Sequence, residues 1–540
     1  MSKILVLAEK PSVGKELARV LQCKKNAGGY IEGDKYIVTW AFGHLITLAE
    51  PEAYGEQYKQ WNMETLPMIP QKMKLKVIPE TAKQFAVIKK LLQSNEISSL
   101  IIATDSGREG ELVARWILEK VSFQKPIQRL WISSQTDKAI KEGFSKLKEG
   151  KQYLHLYHSA QARAEADWIV GLNVTRALTC KYNAQLSAGR VQTPTLAIIA
   201  QREQEIKNFI PKDYYIVRAD LGKFFVTYQN DKKQTNIFDK QKAQNILDKI
   251  KDNRFTVQKI NKTKKVIAPP MLYDLTELQR DANKLYDMSP KETLNVMQNL
   301  YEKHKALTYP RTDSRYITDD IVPTLTDRLK AVAKGDFAQF VSEIIKNKKS
   351  IAKVCVNNSK VSDHHAIIPT EQSANMLSMT TAEKRIYMLV VKRFLTCFYS
   401  NYVFENIKAT LECMGETFTA YGNSVVEKGW KVITTNITEQ EEEEQQNLPD
   451  LKQGENYTCH AVQLKQMKTT PPPRYTEATL LSAMENPSKF LKDNTMKEYI
   501  GGGLGTPATR ADIIEKLFSS FYIEKRGTSL YITSKGMQLV

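Results

Sequence analysis

The amino end of the chain alternates short apolar strands with amphipathic helices, and each of two strands runs straight into a carboxylate. Lys3 to Ala8 reads as a buried strand ending at Glu9, and Ser12 is placed to cap a helix running to about Leu21. Ser99 to Ala103 reads as a second strand, followed by Asp105-Ser106-Gly107-Arg108-Glu109 and a helix from Glu109 to Lys120. Leu130 to Ser133 reads as a third. Such alternation specifies an α/β layer with a mostly parallel sheet, and ligands of such sheets sit at the carboxyl ends of the strands. If the first two strands are neighbours, Glu9, Asp105 and Glu109 converge at one sheet edge. Hard oxygen ligands with little protein cage suit Mg²⁺ held beside a phosphate, and Lys10 and Arg108 lie close by to counter a phosphate charge. Acidic residues in a helix's first turn also serve as caps.

Past residue 150 the pattern changes three times. Residues 151–208 read as helical, with Ala, Arg and Gln prominent. From Pro211 to 268 strand-like stretches return, ending at Pro269-Pro270. Residues 271–400 are helical again, with capping boxes expected at Ser289 to Glu292, where Pro290 opens the helix, and at Thr380 with Glu383. Strands follow to Pro471-Pro472-Pro473, interrupted by an acidic, solvated stretch at 438–447. The two basic, proline-ended flanks at 254–270 and 455–473 are alike, so a β unit split by a helical insertion is expected, with two strands leaving it side by side. The remainder, 474–540, reads as helical with a hairpin-like end.

The insertion holds the second candidate chemistry. Tyr309, in Ala306-Leu307-Thr308-Tyr309-Pro310-Arg311-Thr312-Asp313-Ser314, follows a capped helix, and Pro310 presents it at a turn. A tyrosine that attacks a phosphodiester keeps the bond energy as a phosphotyrosine ester and needs no ATP to rejoin the strand. Its phenol, with an ordinary pKa of about 10, needs a cation and a phosphate held in line. Arg311 is placed to grip phosphate oxygens. Asp363-His364-His365 adds imidazoles, read as an imidazolium on phosphate or a proton relay. The loop Ser187-Ala188-Gly189-Arg190-Val191-Gln192 offers small residues and backbone amides at a helix start. Trp61, Arg163, Trp168 and Arg176 interleave aromatics with cations, as single-stranded nucleic acid requires, although core packing explains the tryptophans equally well. Gly501 to Arg510 is a second glycine-rich turn into a helix, serving as a DNA contact or a domain joint.

Charge agrees. Lys plus Arg exceed Asp plus Glu by 78 to 60 across 540 residues, a net +18 that argues for a polyanion, nucleic acid before membrane. No apolar run approaches the roughly 20 residues of a membrane span, and the first strand begins too early for a signal peptide, so a cytoplasmic protein is expected. The six cysteines form no CxxC pair, which disfavours a zinc ribbon and a disulfide scaffold. Without a GxxxxGK[ST] run, a P-loop ATPase is disfavoured.

Taken together, AEKPSVGK, ATDSGREGE, SAGRVQTPTLA, LTYPRTDS, HHAIIPT and GLGTPATRADIIEKL resemble, in that order, the type IA DNA topoisomerases, most closely the bacterial topoisomerase III branch. The resemblance covers nearly the whole chain. It implies a toroidal core of four parts: a toprim α/β domain at 1–150, a helical DNA-binding base from 151–210 and 471–540, a hinged β arch from 211–270 and 401–470, and a helical domain at 271–400 carrying Tyr309. It implies cleavage of one strand with Tyr309 joined to the 5′ phosphate, arch opening, strand passage and religation, with relaxation of negative supercoils and decatenation. By position, Glu9, Asp105 and Glu109 match the family's acidic cluster, Lys10 its adjacent lysine, Arg311 the arginine after the nucleophile and His364 the insert's histidine. Ser187 to Gln192, with Arg190, Trp61, Arg163, Trp168, Arg176 and Arg311, become DNA contacts. Mg²⁺ is the implied cofactor. The implied working form is a monomer, independent of ATP and membrane, preferring single-stranded segments and associated with the nucleoid.

Two departures stand out. Gly107 replaces an Asp of many family members, which favours one Mg²⁺ on Glu9 and Asp105. The chain ends at Val540 where the family's continues, so a truncated or short form is expected, which leaves closure of the ring an open question. Two other readings keep some of these features: a toprim-type nuclease or primase, whose products are free ends or primers, and a non-catalytic single-strand binder.

Overall fold

The computed structural model describes residues 2–133, 136–361, 364–434, 446–491, 497 and 503–540. Asp363, Gly501, Gly502 and most of the acidic stretch at 438–447 lie outside them.

The amino-terminal unit is a seven-stranded sheet between helices. Its strands are β1 (Lys3–Ala8), β2 (Lys25–Asn26), β3 (Tyr30–Glu32) and β4 (Tyr36–Trp40), then, after a separate hairpin of β5 (Ile46–Leu48) and β6 (Leu75–Val77), β7 (Ile97–Ala103), β8 (Ile127–Arg129) and β9 (Lys148–Glu149). The order is β2-β3-β4-β1-β7-β8-β9, with β4, β1, β7 and β8 mutually parallel and the outer strands antiparallel. The near-continuous apolar runs of β1 and β7 follow from this position, because a central parallel strand is covered on both faces. Buried clusters lie on each side, one around Leu5, Leu100 and Ile117, the other around Val6, Leu17 and Ile101.

Two local expectations shift. The helix α1 (Pro11–Val20) is capped by the backbone at Lys10, without a side-chain bond, and Ser12 lies inside its first turn. Proline at the first helical position has a preset φ and no N–H to satisfy, so it fixes the start. The third strand is β8, and 130–133 follows its end, the Leu130 N–H still donating to the Ile102 carbonyl at 2.9 Å. Helices α2 (Ala82–Gln93), α3 (Arg108–Lys120) and α4 (Asp137–Ser145) complete the unit.

The long helix α5 (Leu154–Tyr182) and α6 (Gln192–Lys207) follow. They lead into a second seven-stranded sheet, antiparallel throughout, built from β10 (Asp213–Asp220), β11 (Phe225–Tyr228), β12 (Arg254–Ile267), β13 (Tyr402–Cys413), β14 (Glu416–Glu427), β15 (Asn456–Thr458) and β16 (Ala461–Lys468), with α7 (Lys240–Ile250) packed on it. The strand pairing differs from the expectation. Among the described residues the two basic flanks do not run side by side; they meet at one end, where Arg254–Val257 faces Glu455–Thr458. The strand leaving the base, β10, pairs with the one returning to it, β16, while β12 and β13 pair where the chain enters and leaves the insertion. Antiparallel pairing demands this, since each outgoing strand needs a neighbour running back.

The insertion holds α8 (Leu275–Tyr286), α9 (Pro290–Glu302), α10 (Leu325–Val332), α11 (Phe337–Lys346) and α12 (Thr381–Thr396) around its own core. Thr380 and Glu383 form a full capping box; at α9 only the Ser289 half forms, its Oγ accepting from the Glu292 N–H. The carboxyl-terminal segment returns to the base as α13 (Glu477–Glu485), α14 (Pro507–Ser519), a β17–β18 hairpin (Ile523–Arg526, Ser529–Ile532) and α15 (Ser534–Leu539), which shares a core with α6.

Candidate active site and nucleic-acid interface

Neighbouring parallel strands bring their carboxyl ends together, so β1 and β7 deliver Glu9 and Asp105 to one place. The Asp105 N–H donates to Glu9 Oε2 at 3.0 Å. Beneath them lies a buried charge pair that the sequence reading missed. Arg129 is fully buried; it donates to Glu111 Oε1 at 2.6 Å and to the carbonyls of Thr104 at 2.8 Å and Asp105 at 2.7 Å. This clamp fixes the exit of β7. A glutamate in the first turn of an apolar helix was its one sequence signal. The start of α3 packs so tightly on the exit that a Cβ on Gly110 would meet the Asp105 carbonyl at 2.0 Å, whereas one on Gly107 would meet nothing within 4 Å.

The insertion lays Tyr309 against this edge. Its segment is not an isolated turn. It runs extended beside 366–370, with the Thr308 N–H donating to the Ile368 carbonyl at 3.0 Å, and the Tyr309 N–H donates to the Ser133 carbonyl at 3.1 Å. The phenol points inward, 3.4 Å from Asp105 Oδ2, and the residue is 6% exposed. Glu9, Asp105, Glu109, Tyr309, Arg311 and His364 line one cavity.

The electrostatics are set first by burial and then by crowded carboxylates. Burial, then Asp105, pushes the Glu9 carboxyl up to about 7 against the pull of Lys10. Burial and then Asp105 also hold the Tyr309 phenol well above its ordinary value, with Arg311 pulling the other way. For Arg311, burial lowers the pKa, but the Tyr309, Asp105 and Glu9 charges outweigh it, and the guanidinium is held more firmly protonated. Its Nε is buried without a partner among the described residues, as a group awaiting an anion would be.

His364 is placed differently from the imidazolium expectation. Burial, aided by neighbouring His365, drops its pKa to about 3, so the ring is neutral. It stacks on Tyr309 with centroids 4.1 Å apart, and its Nδ1 lies 3.0 Å from Ser133 Oγ. Lys10 turns to Glu302, at 2.7 Å, across the seam between the two units. Glu109 is 3.5 Å from Arg163. The three carboxylates therefore share a cavity, yet among the described residues no three acidic, His or Cys side chains stand at metal-ligand spacing. The donor set fits an ion that keeps most of its waters: Glu9 and Asp105 bring hard carboxylate oxygens to one cavity, and Asp105 adds to the burial that raises the Glu9 carboxyl.

The expected DNA contacts divide into outward and inward groups. Trp61 is 49% exposed, and Arg190 is exposed and pairs with Asp167 at 3.0 Å. Arg176 is buried; it donates to the Tyr58 carbonyl at 3.0 Å, and its guanidinium lies 5.3 Å from the Trp61 ring centre. Ala188, Val191 and Gln192 are buried. The loop's amides are also taken: Ser187 N–H by the Tyr522 hydroxyl, Ala188 N–H by Thr175 and Gly189 N–H by Thr193. Trp168 is half-buried against Tyr54, and Arg163 donates to Thr509 of α14 at 3.1 Å.

Comparison with known proteins decides the family. Residues 151–540 match the family described as DNA topoisomerase, and residues 4–135 match the toprim domain. The chain belongs to the DNA topoisomerase family. It is 54% identical over 548 residues to DNA topoisomerase 3 of Bacillus subtilis, and 52% identical over 547 residues to that of Bacillus licheniformis, covering all of this chain and 75% of each relative. Full-length topoisomerase I from Thermotoga maritima superposes with a TM-score of 0.73 at 23% identity, covering 98% of this chain and 80% of that one, which speaks for the fold. This is a type IA topoisomerase, an isomerase whose substrate is DNA. A toprim domain is the kind that binds Mg²⁺. Among the described residues no helix is long and apolar enough to cross a membrane.

Proposed function

We propose that Tyr309 is the nucleophile, and that the observation carrying this reading is its phenol oxygen resting against Asp105 at the carboxyl edge of the amino-terminal sheet. The phenol attacks the scissile phosphorus as its proton passes to Asp105 Oδ2, the acceptor its hydroxyl already faces. The tyrosine becomes esterified to the 5′ phosphate, and the 3′ oxygen leaves. Arg311 holds phosphate oxygens, and the partner-free Nε supports that role. Lys10 joins it when it exchanges Glu302 for phosphate. Glu9, able to carry a proton near neutrality, delivers it to the leaving 3′ oxygen and takes it back on religation, with Lys10 assisting. His364, neutral and stacked on Tyr309, holds the ring and meets the phosphate as a neutral donor.

Mg²⁺ would be held by Glu9 and Asp105, with Glu109 at the cavity rim, and would supply charge neutralisation at the phosphate. The ester conserves bond energy, so the cycle runs without ATP. The substrate is a single-stranded segment, tracked by Arg190 and Trp61 with Trp168, Arg163 and Arg176 behind them and the 187–192 loop shaping the groove. The chain divides as 1–150, 151–210 with 471–540, 211–270 with 401–470, and 271–400, the third part acting as hinge. It works as a monomer in the cytoplasm, at the nucleoid, removing negative supercoils and unlinking catenated circles.

Supercoiled and catenated circles incubated with Mg²⁺ and no ATP test this. Wild type yields intact topoisomers and unlinked circles and, when denatured in mid-reaction, a protein–DNA adduct. Tyr309→Phe yields neither; an adduct that persists in this variant removes the assignment.

A further inference from the structure

Five rings stand in file across the seam between the amino-terminal unit and the insertion. Tyr153 stacks on Trp131, with centroids 4.6 Å apart and planes at 19°. Trp131 faces His364 at 6.2 Å and 15°. His364 stacks on Tyr309 at 4.1 Å, and Tyr309 meets the edge of Tyr301 at 5.4 Å. Trp131 belongs to the amino-terminal unit, Tyr153 to the turn that opens α5, and the last three rings to the insertion. Ser133 crosses the same seam twice: its Oγ lies 3.0 Å from His364 Nδ1, and its carbonyl accepts the Tyr309 N–H at 3.1 Å. The segment that carries Trp131 and Ser133 is anchored to the amino-terminal unit. Arg129, buried, lies 5.0 Å from the Trp131 ring centre. The Ser106 hydroxyl bonds both the N–H and the carbonyl of Ile132, each at 3.1 Å.

We propose that Trp131 and Ser133 are positioning residues that dock His364 and Tyr309 as the strand-passage gate closes, so that resealing is tied to closure. The proposal rests on the reading of Tyr309 as nucleophile. Once a strand is cut, Tyr309 carries the 5′ end, and passing a second strand separates the insertion from the amino-terminal sheet. Both Ser133 bonds and the Trp131–His364 stack then break. A hydrogen bond and a ring stack are each directional, so together they re-form in one register only. In that register the phosphotyrosine faces Glu9, Asp105 and Arg311 again. Neither Trp131 nor Ser133 lines the cavity, so neither touches the reacting phosphate.

The test is the lifetime of the covalent adduct on a labelled single-stranded oligonucleotide, chased with unlabelled strand and compared with the affinity for the uncut oligonucleotide. Ser133→Ala, which keeps the carbonyl and loses the hydroxyl, lengthens the lifetime about fivefold, the worth of one hydrogen bond. Trp131→Leu lengthens it about two- to tenfold, the worth of an aromatic pair. Ser133→Thr and Trp131→Phe restore most of the wild-type rate, and affinity is unchanged in all four. Melting temperatures identify a variant that merely unfolds, in which case its conservative partner carries the comparison. Wild-type decay in folded Ser133→Ala and Trp131→Leu overturns the proposal, as does Ser133→Thr decaying as slowly as Ser133→Ala. Failure of wild type to form any adduct condemns the reading of Tyr309 instead.

Discussion

At the scale of single residues, Glu9 shows how position sets chemistry. Its carboxyl would ordinarily titrate near 4.5; burial first, and Asp105 second, raise it to about 7. An acid whose folded pKa lies above its unfolded one favours the fold while protonated. That contribution is complete below about pH 4.5 and is lost as pH rises through about 7. Thermal unfolding without divalent metal is therefore expected to show a melting temperature that declines across this window, and Glu9→Gln flattens the decline. His364 behaves in the opposite way. Held near 3 by burial, its ring stays neutral while the unfolded chain's histidine protonates below about 6.5, so its contribution to stability is lost as pH falls from 6.5 toward 3. In the working range its ring-proton NMR shift is expected not to titrate. Both residues are visible in the sequence as candidates. Their protonation is not, because burial depends on what folds over them.

At the scale of elements, the β7–α3 connection holds the site rigid from two sides. From below, Arg129 and Glu111 form a wholly buried pair whose remaining donors hold the carbonyls that lead to Asp105. Removing one partner strands the other charge, so Glu111→Ala is expected to cost about 3–5 kcal/mol in denaturant melts. From the side, α3 approaches so closely that Gly110→Ala must displace the Asp105 carbonyl. A shift of that size near reacting groups is expected to reduce strand cleavage about 100-fold. Gly107→Ala, facing open space on extended backbone, leaves cleavage near wild type. Single-turnover cleavage of an oligonucleotide separates the pair. The same connection explains the misplaced third strand. Leu130 to Ser133 is apolar enough to read as a strand, but after the Leu130 N–H makes a last bond to the Ile102 carbonyl, Ile132 and Ser133 spend their polar groups on Ser106, His364 and Tyr309.

At the scale of the molecule, the +18 net charge predicts affinity for single strands that falls with salt, by a slope of about 0.7 per neutralised phosphate on a log–log plot. The inward and outward groups of the groove then separate. Arg190→Ala lowers the slope by about one contact. Arg176→Leu, which removes the buried cation under Trp61, weakens binding at every salt concentration and leaves the slope alone. Titrations at several salt concentrations check both. The seam between the amino-terminal unit and the insertion belongs to this scale too. Lys10 with Glu302, Lys305 with Glu16, and Thr136 with Glu371 join segments far apart in sequence around the cavity.

The sequence by itself determined the α/β character of the amino end, the carboxylates at two strand exits, the helical insertion within a β unit, and the tyrosine followed by proline and arginine. Each is local: strand runs, caps, prolines and short-range spacing are written in neighbouring residues. Strand partners in the β unit, the burial of Arg176 and Gln192, the capture of the 187–189 amides and the neutral state of His364 were decided only by tertiary structure. They depend on groups brought together from distant positions, Tyr522 against Ser187 or Ser133 against His364. Solvent exclusion and hydrogen-bond competition are set by what packs nearby, whatever its place along the chain.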